Sequence, residues 1–95
     1  MLTNESVVNR AMAVESVTGY DPLLDTRRRE VVTARALLAW SLLKEGRTEH
    51  EVASAIGWTR PTVHYYREIF TDAEIYGNRP ELLLGWEKLK KILDK

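Results

Sequence analysis

Apolar residues recur along the chain at the three- and four-residue spacing of amphipathic α-helices. This pattern predicts five helices, over residues 5–18, 28–45, 48–56, 59 or 60 to 73, and 80–93. Glycine and proline separate these stretches, whereas sustained alternation of period two and Asn-Gly or Asp-Gly hairpin signals are missing from the sequence. We therefore expect an all-α fold of about five helices, folded as one domain over residues 1–95.

Two of the predicted helices carry broad apolar faces. The face of the second helix comprises Val31, Ala34, Leu38, Leu42 and Leu43, widened by Val32, Ala39 and Trp40. The face of the fifth comprises Leu82, Trp86, Leu89 and Leu93, broadened by Leu83, Leu84 and Ile92. Before the second helix, Pro22 is placed to open a short helical turn, where its missing N–H costs little.

The segment 49–66 meets the geometric demands of a helix-turn-helix. Ala53 is small enough to let a second helix pass close, and Gly57 can open the turn with a positive φ. Apolar residues follow at positions that fill the angle between two helices: Val52, Ile56, Trp58, Val63 and Tyr66. The alternative is an ordinary helical hairpin without a ligand.

The helix after Gly57 begins with residues that can read DNA. Recognition helices place their amino-terminal turn in the major groove, where Thr59, Arg60 and Thr62 would meet base edges or phosphates. His64, Tyr65 and Arg67 follow as candidates for contacts to the DNA backbone. Tyr65 could instead be a core aromatic, and Arg67 could instead pair with a nearby acid.

Charge is unevenly distributed along the chain. The formal net charge of the 95 residues is 0, but residues 26–67 contain eight basic and four acidic side chains, between two flanks in which acids exceed bases. A local basic region attracts phosphates even on a neutral molecule. An excess this small could also arise by chance.

Several classes of protein are disfavoured. Cysteine is absent, which removes disulfides and thiolate chemistry and fits a cytoplasmic protein. No apolar run is long enough to span a membrane, and no secretory signal precedes the first helix. His50 and His64 lack metal-ligand spacing and no nucleophile–base pair stands out, so we expect neither an enzyme, nor a metal, nor a cofactor.

Residues 18–46 resemble the DNA-binding domain of the bacterial replication initiator DnaA. The resemblance is carried by a run of six residues: Arg27, Arg29, Val31, Val32, Ala34 and Arg35. It extends over about residues 7–70 and implies a Trp-repressor-like helical fold that binds double-stranded DNA, with a role in replication or transcription control. It further implies that Arg27, with Arg28 and Arg29 beside it, enters the minor groove and that Arg35 contacts phosphate.

The recognition segment departs from that family. The family's Gly-Gly-Arg-Asp-His-Thr-Thr-Val-like signature is one residue shorter here, and only Thr62 and Val63 clearly match. The family's base sequence therefore does not carry over. A Gly-rich phosphate loop is also absent, so this chain alone is not an ATP-driven initiator.

Two alternatives use the last predicted helix. Its apolar stripe could form a protein-interaction module, or it could simply fill the core together with Trp40, Trp58 and Trp86. A third option combines the functions, because a homodimer through this helix would present two recognition helices to a palindromic site.

Overall fold

The computed structural model describes residues 3–94, and within that range the regular structure is entirely helical. The five helices are α1 (Asn4–Thr18), α2 (Arg29–Lys44), α3 (Glu49–Ile56), α4 (Arg60–Tyr76) and α5 (Pro80–Leu93). The predicted all-α class and the number of helices are confirmed.

The helix ends follow from side chains that satisfy free backbone groups. Thr3, Thr48 and Thr59 each cap the start of a helix by accepting a hydrogen bond from a backbone N–H three residues on. At Thr48 the expected capping box is complete, since the Glu51 carboxylate also accepts from the Thr48 N–H at 3.1 Å. These local contacts explain why the predicted and observed starts agree closely.

Two local predictions were wrong in extent. Helix α4 continues to Tyr76, three residues beyond the predicted end, and stops at Gly77, whose φ of +64° closes the helix. The segment at Pro22 forms only a turn: the Leu24 N–H donates to the Asp21 carbonyl at 3.3 Å, and the Leu23 N–H donates to the Asp21 side chain at 2.9 Å. The Asp21 side chain therefore accepts from a backbone N–H and stabilises a turn in place of a helical turn.

Helix α2 occupies the centre of the fold. It contacts each of the other four helices and is buried on almost every side. Most of the apolar face predicted for α2 is buried, and Ala36 and Leu37, which lie outside that face, are also fully buried. A helix surrounded by neighbours needs apolar residues all round, and this enclosure is a property of the assembled fold.

Aromatic side chains join α2, α4 and α5. The rings of Trp40 and Phe70 stack at a centroid distance of 4.4 Å, and Trp86 meets Phe70 edge-on at 6.1 Å. In α5, Leu82 and Leu89 are fully buried against this core, so the apolar stripe of α5 packs within the chain. Between residues 3 and 94, no helix combines the length and the apolar character needed to cross a lipid bilayer.

Candidate nucleic-acid interface

A short connection joins α3 to α4 with their apolar faces together. Gly57 ends α3 at φ +87°, and the N–H groups of Gly57 and Trp58 both donate to the Ala53 carbonyl, at 2.9 and 3.0 Å. Val52 and Val63 are fully buried in the angle between the two helices. This packing sets the direction in which α4 leaves the turn.

The first turn of α4 faces solvent. Thr59 and Arg60 are exposed and Thr62 is half-buried, while the Arg60 side chain retains 72% of its accessible surface. The Thr59 hydroxyl accepts from the Thr62 N–H at 3.3 Å and lies 2.8 Å from the Thr62 hydroxyl. The two threonines thus hold each other in place at an accessible helix start.

Arg35 connects α2 to the turn before α4. Its guanidinium lies 4.4 Å from the ring centroid of Trp58 and 5.5 Å from that of Tyr66, and it donates to the Leu24 carbonyl at 3.2 Å. Burial raises the pKa of the Tyr66 hydroxyl, so this ring stays neutral beneath the cation. Arg35 therefore lies against the turn that precedes α4 and against the buried Tyr66 of that helix.

The three arginines before α2 have different surroundings. Arg27 is exposed. Arg28 is also exposed, with its guanidinium 5.8 Å from the Tyr20 ring centroid and its Nε 3.7 Å from Glu30. Arg29 donates to the Glu81 carboxylate at 2.9 Å, which ties the start of α2 to α5.

Glu49, in the first turn of α3, lies close to two arginines and one histidine of α4. Its carboxylate lies 3.0 Å from Arg67 Nη1, 2.9 Å from His64 Nδ1 and 3.8 Å from Arg60 Nε. The other ring nitrogen of His64 lies 2.8 Å from Glu68. We refer to Glu49, Arg60, His64, Arg67 and Glu68 as the Glu49 cluster.

The Glu49 cluster shifts the ionisation of its members. The hydrogen bond with His64 lowers the pKa of Glu49, and that with Arg67 adds to the effect against the opposing cost of burial. The same Glu49 hydrogen bond raises the pKa of His64, and Glu68 raises it further. The cluster therefore favours a carboxylate beside an imidazolium.

Exposure and ion pairing bear on two residue-level alternatives. Tyr65 is 53% exposed, so it is a surface side chain and not a core aromatic. Arg67 lies 3.0 Å from Glu49, but its side chain is 56% exposed and stays accessible to a phosphate. On α4, Arg60, His64 and Arg67 share one flank at helical spacing, whereas Thr62 and Tyr66 lie on the other.

The sequence analysis missed two basic residues beside this surface. Lys44 and Arg47 line a groove of about 540 Å³, together with Arg60 and Arg67 of α4. The Lys44 ammonium lies 5.3 Å from the Trp40 ring centroid, and Arg47 lies 3.7 Å from Glu51. The available signal was their position on either side of Gly46, immediately before the amino terminus of α3.

Among residues 3–94, no three His, Asp or Glu side chains come together as a metal site. Comparisons of the chain with protein-family models, curated proteins and solved structures found no match. The functional inference therefore depends on the chemistry of the surface around α4.

Proposed function

We propose that this chain binds double-stranded DNA, with α3 and α4 acting as a helix-turn-helix of Trp-repressor-like type. The observation that carries the proposal is the accessible first turn of α4, in which Thr59 and Arg60 are exposed and Thr62 is half-buried, with Arg35 against Trp58 of the preceding turn. An exposed helix start bearing an arginine and two hydroxyls suits the major groove.

Base reading would come from the first turn of α4. Arg60 can form a bidentate contact with guanine O6 and N7, and the threonines can bond bases or phosphates or meet a thymine methyl. The positive end of the α4 dipole also favours a phosphate. Arg60 is the residue on which sequence discrimination is expected to depend most.

Backbone contacts would flank that turn. Lys44 and Arg47 line the groove on the Arg60 side of α4, while Arg35 lies at the turn before the helix. Tyr65, His64 and Arg67 remain candidates for phosphate contacts further along α4. Phosphate contacts of this kind set register and affinity and carry little sequence information.

The resemblance to the DnaA DNA-binding domain supports a minor-groove role for the basic residues before α2. Arg27 and Arg28 are exposed, as an arm entering a groove requires. Arg29 is held by Glu81, so its contribution would need this ion pair to open. We propose on the same grounds that the protein acts in the cytoplasm, in replication or transcription control.

A protein partner bound at α5 has less support than DNA bound at α4. Leu82 and Leu89 are occupied in the core, which leaves Leu84 and Ile92 as the exposed apolar residues of that helix. A protein-interaction module built on the stripe of α5 would have to expose its own core. A homodimer through α5 would have to use Leu84 and Ile92, and a palindromic DNA site would reveal it.

The test is selection of bound sequences from a random duplex pool, followed by affinity measurements with the Arg60→Ala variant. We expect a short enriched motif, and we expect Arg60→Ala to weaken binding to it by about 1–3 kcal/mol, roughly five- to 150-fold, with little change on random DNA. Lys91→Ala, an exposed cation of α5, is the matched control. Equal loss on both duplexes would make Arg60 a phosphate contact, and no enrichment would contradict DNA reading.

A further inference from the structure

The Glu49 cluster places an acid where a nucleic-acid surface needs cations. Of the described residues that line the groove beside α4, Glu49 alone is acidic. Its side chain is only 12% exposed, whereas those of Arg60, His64 and Arg67 are more than half exposed. The carboxylate thus lies beneath the cations, and the cations lie between it and solvent.

The charges within the Glu49 cluster nearly cancel. The charges of two arginines balance those of two glutamates, so the net charge of the cluster depends on whether His64 is protonated. A carboxylate within 3.0 Å of Arg67 offers the same charge-assisted hydrogen bond that a phosphate oxygen would offer. Glu49 therefore takes the position of a phosphate with respect to these side chains.

Nonspecific binding to DNA depends on this kind of cation. Its affinity comes from protein cations that neutralise phosphates and release the counterions bound to them, and it rises with each cation that reaches a phosphate. An internal carboxylate that neutralises cations of α4 lowers the electrostatic part of the affinity for every duplex. Contacts to base edges depend on side-chain placement: the hydrogen bond to Glu49 holds Arg67, whereas Arg60, 3.8 Å from Glu49 and 72% exposed, is free to reach a base.

We propose that Glu49 is a specificity-determining residue that acts as an internal phosphate mimic, suppressing nonspecific DNA binding by α4 while leaving base reading intact. This inference depends on the proposed DNA-binding function. It assigns to Glu49 a role opposite to that of the cations around it, because its removal should increase binding.

The test compares the Glu49→Gln variant with the unaltered protein on the enriched duplex and on a random duplex. We expect affinity for the random duplex to rise up to about tenfold, with the slope of log K against log salt steepening by about 0.9 for each additional phosphate that the protein neutralises. Affinity for the enriched duplex should rise less, so the specificity ratio falls. Glu74→Gln removes the same charge from an exposed site of α4 and should leave the ratio unchanged.

The outcomes separate the two proposals. If the unaltered protein binds DNA and Glu49→Gln leaves the ratio unchanged, or weakens binding to random DNA, the role of Glu49 is wrong and the proposed function stands. If neither protein binds any duplex, both proposals fall. Thermal unfolding of Glu49→Gln verifies that the variant is folded.

A second route leaves α3 untouched. His64 is faced by Glu49 from α3 and by Glu68, Arg67 and Arg60 from its own helix, and His50 is the other titratable imidazole near the groove. Because His64 decides the sign of the cluster, random-duplex affinity should rise as pH falls from about 8 to about 6. His64→Gln should reduce this rise and Glu74→Gln, outside the groove, should keep it, while an unchanged profile in His64→Gln would contradict the role given to the Glu49 cluster.

Discussion

At the scale of single residues, the surface around α4 is organised by a few side chains that each serve several partners. Arg35 stacks on Trp58 and also bonds the Leu24 carbonyl, so it joins the loop before α2 to the turn before α4. Glu49 likewise joins α3 to α4 through its contacts with Arg60, His64 and Arg67. Such residues place the candidate DNA-binding groups before any DNA is present.

His64 makes stability depend on pH. Its pKa is raised in the folded chain, chiefly by the Glu49 hydrogen bond, so the folded state binds the proton more tightly than the unfolded state does. The resulting stabilisation is fully present below the ordinary pKa of 6.5 and is lost as pH rises through the higher folded value. We expect His64→Gln to remove this part of the pH dependence of thermal unfolding.

The control for this prediction is His50→Gln, which alters the other histidine at an exposed position of α3. Melting temperatures measured from about pH 5 to about pH 8 should show the loss in the unaltered protein and in His50→Gln, but not in His64→Gln. Identical profiles for the unaltered protein and His64→Gln would contradict the Glu49–His64 pairing.

At the scale of elements, α5 approaches α2 through a glycine. A Cβ added at Gly85 would lie 2.7 Å from Cδ1 of Leu37, a fully buried side chain at the centre of the fold. Glycine usually weakens a helix, so its place inside α5 is explained by the close approach of the two helices.

We therefore expect Gly85→Ala to destabilise the protein. Overpacking costs about 1–3 kcal/mol, against a gain of about 0.5–1 kcal/mol in helix propensity, which leaves a net loss of about 1 kcal/mol. Denaturant unfolding of Gly85→Ala, Leu37→Val and the double variant should show a favourable coupling, because the smaller valine leaves room for the added methyl group. A more stable Gly85→Ala would mean that Leu37 moves aside freely.

At the scale of the whole molecule, function is expected to follow the placement of charge and not its sum. The chain carries equal numbers of acidic and basic residues, yet Lys44 and Arg47 come together with the cations of α4 along one groove. A neutral protein can therefore present a mainly cationic groove to DNA, with Glu49 as the one acid among the described residues that line it.

Salt dependence tests this surface. We expect the double variant Lys44→Gln/Arg47→Gln to weaken binding to all duplexes and to reduce the salt slope by about 0.9 for each phosphate that the variant no longer neutralises. Lys88→Gln/Lys91→Gln removes the same charge from exposed sites of α5 and should leave the slope unchanged. Equal slopes for both double variants would remove the groove from the DNA interface.

The sequence by itself determined the five helices and most of their ends. Apolar spacing and caps such as Thr48 and Gly57 act through neighbours a few residues away, so they can be read along the chain. The same local pattern predicted that Thr59, Arg60 and Thr62 would begin α4, where the structure has them.

Only the tertiary structure decided which distant residues meet. The burial of Leu37, the position of Arg35 on Trp58, the groove at Lys44 and the cations around Glu49 all depend on how the helices cross. The helical repeat defines the faces of each helix, but crossing angles arise when side chains of several helices pack together. A surface built across α2, α3 and α4 therefore exists only once the core has formed.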